Sequence, residues 1–139
     1  MNQTAIFWPM LAQVVLVYVV YGVLAKRRFG PLFSGTVKAR EFRHRGVEPA
    51  GSATASNNLM NQFELPVLFF GLCLSFYVTN GVNRLAVTLA WLFVLSRCIH
   101  AAVHLTRNHV GLRSALFATG FVVLGIGWIL FAMQMGRLI

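Results

Sequence analysis

The chain has few acidic residues and few charged residues of any kind. Three Asp+Glu stand against 12 Lys+Arg in 139 residues, so the formal net charge is +9 although only 11% of the chain is charged. A small soluble domain carries roughly a quarter charged residues. With 58% hydrophobic residues, this composition argues against an ordinary soluble domain and indicates a membrane protein.

Cysteines and recognisable catalytic motifs are also scarce. The two cysteines, Cys73 and Cys98, lie in apolar runs, where they resemble small buried hydrophobic residues rather than a disulfide framework. The sequence shows no metal-ligand cluster, phosphate-binding loop or serine-hydrolase elbow, so we expect no metal. The basic residues are concentrated beside apolar segments, which favours cytoplasmic membrane flanks over nucleic-acid binding.

Four apolar segments reach the length of about 20 residues that a transmembrane helix needs. They cover residues 5–25, 59–78, 85–105 and 115–135. We therefore expect an all-α membrane protein, with residues 1–139 forming one four-span bundle. Pro66 falls in the first turns of the second span, where a kink is tolerated. Gly120, Gly125 and Gly127 would allow close helix approach in the fourth span.

The connections predict an orientation. Residues 26–56 form the long first loop, which carries seven basic residues, and positively charged loops stay in the cytoplasm. Both termini would then lie on the opposite side of a membrane, which we expect to be a bacterial inner membrane. The small, polar end of this loop, residues 51–56, is predicted to be flexible.

Polar residues of the second and third spans occur at matching depths. The two spans are expected to run antiparallel across a short turn, so residues at equal depth share the same sum of residue numbers. Three pairs satisfy this condition: Glu64 with Arg97, Asn61 with His100, and Asn57 with His104. Spacings of three and four place the members of each helix on one face, and Arg113 and Ser114 open the fourth span at the same end.

A charge in the apolar zone usually faces a partner or a polar cavity, so we predict that Glu64 pairs with Arg97. A simple clamp between two helices would explain that pair alone. The additional polar residues at one open end favour a cationic pocket for a small anion. An ion or proton pathway through Glu64, His100 and His104 is a further alternative.

Two segments of the sequence resemble the MAPEG family, the membrane-associated proteins in eicosanoid and glutathione metabolism. "NQFELP", residues 61–66, resembles the Asn-x-x-Glu motif followed by proline on helix two. "RCIHAAVHLTRNHVGLRS", residues 97–114, resembles the Arg-x-x-His segment of helix three and the Arg-Ser start of helix four. The combination is most similar to the microsomal prostaglandin E synthase and microsomal glutathione transferase branch.

This resemblance implies a homotrimer that binds glutathione between subunits at the cytoplasmic side. It implies a catalytic role for Arg113 and Ser114, which would stabilise the thiolate. It also implies that glutathione is contacted, or its site supported, by Asn61, Glu64, Arg97 and His100. Asn57 and His104, which match in depth at the same open end, and Lys26, near the end of the first span, complete the set of candidate glutathione-binding residues. Membrane lipid and a small lipophilic electrophile are the other expected partners.

The sequence departs from the family pattern at several positions. Met60 and Asn57 stand where family members often carry arginine, and His104 replaces a tyrosine. Lys26 and Arg27 are the nearest candidates for a basic residue at the end of helix one. The sequence therefore supports two main hypotheses: a glutathione-dependent transferase or peroxidase, and a non-catalytic membrane module that binds a lipid or protein partner.

Overall fold

The computed structural model describes residues 1–38 and 49–136. A short 3₁₀ turn, Gln3–Ile6, leads into α1, Phe7–Phe33. The other helices are α2, Ala50–Asn61, α3, Leu65–Val78, α4, Arg84–Leu105, and α5, Val110–Met135. Four helical segments are long and apolar enough to cross a membrane: Gln3–Phe33, Ala50–Val78, Arg84–Leu105 and Val110–Met135. The expected all-α, four-span fold is confirmed.

The second span consists of two helices, α2 and α3, separated by a break at residues 62–64. Pro66 occupies the first turn of α3. Proline has no backbone N–H to donate, and its ring clashes with the carbonyl of the fourth residue before it, here Gln62. The helix that ends at Asn61 therefore cannot continue smoothly, and Glu64 lies in the break with φ −97° and ψ −99°.

Several predicted boundaries of the first loop differ from the structure. Helix α1 continues past Lys26 to Phe33, and α2 begins at Ala50, so the connection between the helices is residues 34–49 rather than 26–56. The prediction that residues 51–56 are flexible is wrong, because they form the first half of α2. Residues 39–48, with three of the seven basic residues, lie outside the described residues.

The apolar core fills the space between α3, α4 and α5. Phe69 of α3 stacks on Phe93 of α4 with ring centroids 4.6 Å apart. Phe76 meets Phe131 of α5 edge-on at 5.3 Å. These contacts tie the membrane-spanning part of α3 to both neighbours and hold the break before α3 close to α4 and α5.

Two of the three glycines predicted to allow close helix approach do so within the chain. A Cβ at Gly120 would lie 3.0 Å from Oγ of Ser96, and one at Gly127 would lie 2.6 Å from Cδ2 of Leu72. No atom of the described residues lies within 4 Å of a Cβ built at Gly125, so the close approach predicted there is not made within the described part of the chain.

Candidate functional site

A polar recess opens at the end of the bundle where α2 breaks and α5 begins. It consists of two adjoining hollows of about 270 Å³ and 260 Å³. Asn61, Glu64 and Arg113 line both hollows. The larger one adds His100, Ser114 and Phe117, and the smaller one adds Asn57, Met60 and His104. These residues, the polar recess from here on, come from α2, α4, α5 and the α2–α3 break.

His100 connects the three helices that line the recess, α2, α4 and α5. Its Nδ1 lies 3.0 Å from the carbonyl oxygen of Arg113, and because a carbonyl only accepts, we assign the ring hydrogen to Nδ1. Its Nε2 is then free to accept a hydrogen bond from Nδ2 of Asn61, at 3.4 Å. The predicted depth match of Asn61 and His100 is thus a direct contact, which joins α2 to α4 and, through the Arg113 backbone, to α5.

Arg113 is held at the recess by two uncharged acceptors. Its Nη1 lies 2.8 Å from Nε2 of His104 and 2.9 Å from Oδ1 of Asn108. A guanidinium only donates, so Nε2 of His104 accepts and a neutral His104 carries its hydrogen on Nδ1. That Nδ1 is buried and has no hydrogen-bond partner within residues 1–38 and 49–136. The direction of the Arg113 guanidinium is therefore fixed by neutral groups.

The predicted ion pair between Glu64 and Arg97 is absent from the part of the chain that the structure describes. Nη2 of Arg97 donates to the carbonyl oxygen of Asn61 at 3.1 Å, and its Nε and Nη1 have no hydrogen-bond partner there. The Arg97 guanidinium carbon lies 5.6 Å from the ring centre of Phe117. Glu64 attracts Arg97 only at longer range. The prediction assumed a continuous helix, whereas the break before Pro66 leaves Glu64 exposed on the outside of the bundle.

The carboxylate of Glu64 is thus available to a ligand or to a neighbouring chain. It is the only acidic side chain among the described residues, because Glu41 and Glu48 lie outside them. Arg97 sits fully buried behind Asn61, His100 and Phe117, all of which line the recess. The recess therefore has a carboxylate at its outer edge and a buried cation behind its inner wall.

The basic residues at the end of α1 do not line the recess of their own chain. Lys26 is exposed. Arg27 donates from Nη1 to Oγ1 of Thr54 at 2.8 Å and from Nη2 to the carbonyl oxygen of Leu105 at 2.6 Å. Arg27 thereby satisfies a carbonyl that the end of α4 leaves without an intrahelical partner. Its role within the chain is to tie α1 and α2 to the C-terminus of α4.

Two groups near the site were not identified from the sequence. Gln13, fully buried on α1, donates to Oε1 of Gln62 at 2.9 Å, and Gln62 donates to Oδ1 of Asn58 at 3.1 Å. This amide chain holds the α2–α3 break against α1. Gln13 is the only strongly polar residue inside the first predicted span, but the sequence does not indicate its partner. Asn108 lies in a short loop, and no sequence pattern indicated a role for it.

Comparison with curated proteins and with solved structures gave no match, whereas comparison with models of protein families gave one. The model of the MAPEG family matches residues 5–133, which include nearly all of the four spans and the whole polar recess. This match covers nearly the whole sequence, and the chain therefore belongs to the MAPEG family, which includes glutathione transferases and related enzymes, often uses glutathione and is usually trimeric.

Proposed function

We propose that this protein is an integral membrane enzyme, with residues 1–139 forming one domain, that uses glutathione to attack lipophilic electrophiles or to reduce lipid hydroperoxides. Glutathione would bind in the polar recess, and the second substrate would enter from the lipid. The long first loop would lie in the cytoplasm, so that the recess opens towards the cytoplasmic glutathione pool.

The observation that carries this proposal is the environment of Arg113. Its guanidinium reaches the recess beside Ser114 and is oriented by His104 and Asn108, and no carboxylate of the described residues pairs with it. A thiol reacts as its thiolate, and a nearby cation lowers the thiol pKa. We infer that Arg113 stabilises the thiolate of bound glutathione and that the Ser114 hydroxyl donates a hydrogen bond to the same sulfur.

The rest of the recess suits the other charged groups of glutathione. The exposed carboxylate of Glu64 would accept from the ligand's ammonium, and the amides of Asn57 and Asn61 would donate to its carboxylates. Arg97 would add positive potential from behind the inner wall, where its burial limits screening by solvent. His100 would keep Asn61 and the Arg113 backbone in register. Lys26, outside the recess of its own chain, would act by attracting the anionic tripeptide.

A trimer would complete the site. Glu64 and Asn57 are exposed in the single chain, although they belong to a segment that is apolar enough to span a membrane. Polar side chains at such a depth usually face protein or a wet cavity. A neighbouring subunit would cover this surface, and the usual trimeric state of the family supports that arrangement.

The experiment that tests the proposal combines binding and turnover. Purified protein in detergent should melt at a higher temperature when glutathione is added, because ligand that binds only the folded state stabilises it. It should also conjugate glutathione to an aryl halide or oxidise glutathione with a lipid hydroperoxide. If glutathione does not raise the melting temperature and neither reaction is catalysed, the enzyme is contradicted. A non-catalytic module that binds a lipid or protein partner is then favoured.

A further inference from the structure

Asn108 lies in the loop between α4 and α5 and contacts the Arg113 side chain. Its Oδ1 accepts from Nη1 of Arg113 at 2.9 Å, while its backbone N–H donates to the carbonyl oxygen of Val103 at 2.8 Å. The first bond orients a charged group of the recess, and the second closes the C-terminus of α4. Asn108 therefore has a part in the site and a part in the fold, and the two can be separated.

The backbone of Asn108 explains why an asparagine can do both. Its φ is +46°, in the left-handed region, where asparagine and glycine are the residues most readily accepted. This conformation ends α4 and turns the chain towards α5. The short amide side chain then reaches Arg113, five residues further along. Glycine would keep the turn but lose the contact, since it has no side chain.

We propose that Asn108 is a positioning residue for the thiolate-stabilising Arg113: together with His104 it fixes the guanidinium against the recess while leaving its charge uncompensated. This inference rests on the proposed function of the recess. An amide oxygen is the appropriate acceptor for that task, because it orients the guanidinium without contributing a negative charge. A carboxylate at the same place would hold Arg113 as firmly but oppose a neighbouring thiolate.

Two substitutions distinguish the two properties of the side chain. Asn108→Gly removes the acceptor and retains the turn. Asn108→Asp retains the acceptor and adds a charge. The matched control is Asn80→Gly, because Asn80 also has a positive φ, +53°, and lies in the turn between α3 and α4, away from the polar recess. Loss of activity from replacing a left-handed asparagine in general would therefore appear in the control as well.

The first readout concerns Arg113 itself and does not depend on turnover. Phenylglyoxal modifies accessible guanidinium groups, and mass spectrometry of the peptide containing Arg113 reports its rate of modification. Asn108→Gly should accelerate that reaction several-fold and Asn108→Asp should slow it, while Asn80→Gly should match the wild type. An unchanged rate in Asn108→Gly would overturn the positioning role and leave Asn108 as a helix-ending residue alone.

The second readout is the pKa of the thiol of bound glutathione, taken from the pH dependence of its thiolate absorbance. Asn108→Asp should raise this pKa by about 1 or more, because a like charge nearby disfavours the thiolate. Asn108→Gly should lower kcat/KM about tenfold, because one hydrogen bond to a charged group is lost. Wild-type values in both variants would overturn the inference alone. A wild type with no thiolate absorbance would also overturn this inference, and the additional lack of a melting shift and of turnover would overturn the proposed function with it.

Discussion

Arg113 and His104 are joined by a hydrogen bond of 2.8 Å in which the arginine can only donate and the histidine must accept. The contact links the start of α5 to the last turn of α4 and keeps His104 uncharged. His104 stands where the family pattern has a tyrosine in the third membrane-spanning helix, which is α4 here. His104 thus supports the direction of Arg113, in agreement with the prediction that both residues lie at one mouth.

A double-mutant cycle tests the relationship between Glu64 and Arg97. Because the two side chains do not pair and solvent screens the exposed Glu64, Glu64→Gln and Arg97→Gln should be coupled by no more than about 1 kcal/mol. Direct contact between the two charges would give a coupling energy of up to about 3 kcal/mol. Unfolding free energies in detergent, without glutathione, provide the measurement, and a cycle with the distant Arg84→Gln should be additive. A coupling energy near ~3 kcal/mol would show that the pair does form.

The hydrogen-bonded amides of Gln13, Gln62 and Asn58 should contribute to the free energy of unfolding. Gln13→Leu leaves Oε1 of Gln62 without its donor, so we expect a loss of about 1 kcal/mol, the scale of polar contacts between membrane helices. Thr88→Val, at an exposed position of α4, is the control and should change stability much less. The unfolding free energies of both variants in detergent give the comparison, and equal losses would show that the Gln13–Gln62 contact contributes nothing specific.

The glycines of α5 provide a matched pair. Gly127→Ala forces Leu72 to move and should cost about 1 kcal/mol or more, as overpacking does. Gly125→Ala has free space within the chain, and alanine is the better helix former, so stability should stay the same or rise. Thermal unfolding of the two variants measures the difference. A larger loss for Gly125→Ala would mean that this face packs against another chain.

The orientation can be tested by labelling single cysteines in a variant that lacks Cys73 and Cys98. Ser34 is exposed just after α1, and Arg84 is exposed at the start of α4, at the opposite end of the bundle. A membrane-impermeant maleimide applied to intact cells should label Arg84→Cys and not Ser34→Cys, since the basic first loop is expected inside. The reverse pattern would overturn the orientation and the cytoplasmic opening of the recess.

The lengths of the apolar segments were sufficient to predict the four spans, and helical spacing was sufficient to predict most of the recess. Asn57, Asn61, His100, His104 and Arg113 come together because residues three or four positions apart share a helix face and antiparallel helices match in depth. Glu64 was misplaced because that depth rule requires an unbroken helix. Asn108 could not be found, since its role depends on a left-handed backbone conformation in a loop. The partner of Gln13 depends on how α1 packs, which its own sequence does not specify.

The proposed function requires Arg113 to lower the pKa of the thiol of bound glutathione, and the thiolate absorbance of the complex tests this directly. Wild-type protein with glutathione should show the thiolate band near neutral pH. The neutral variant Arg113→Gln should lose most of it at that pH and regain it only at higher pH, because the cation that favours the anion is gone. Ser114→Ala should shift the titration in the same direction by less. An equal band in wild type and Arg113→Gln at neutral pH would contradict the account.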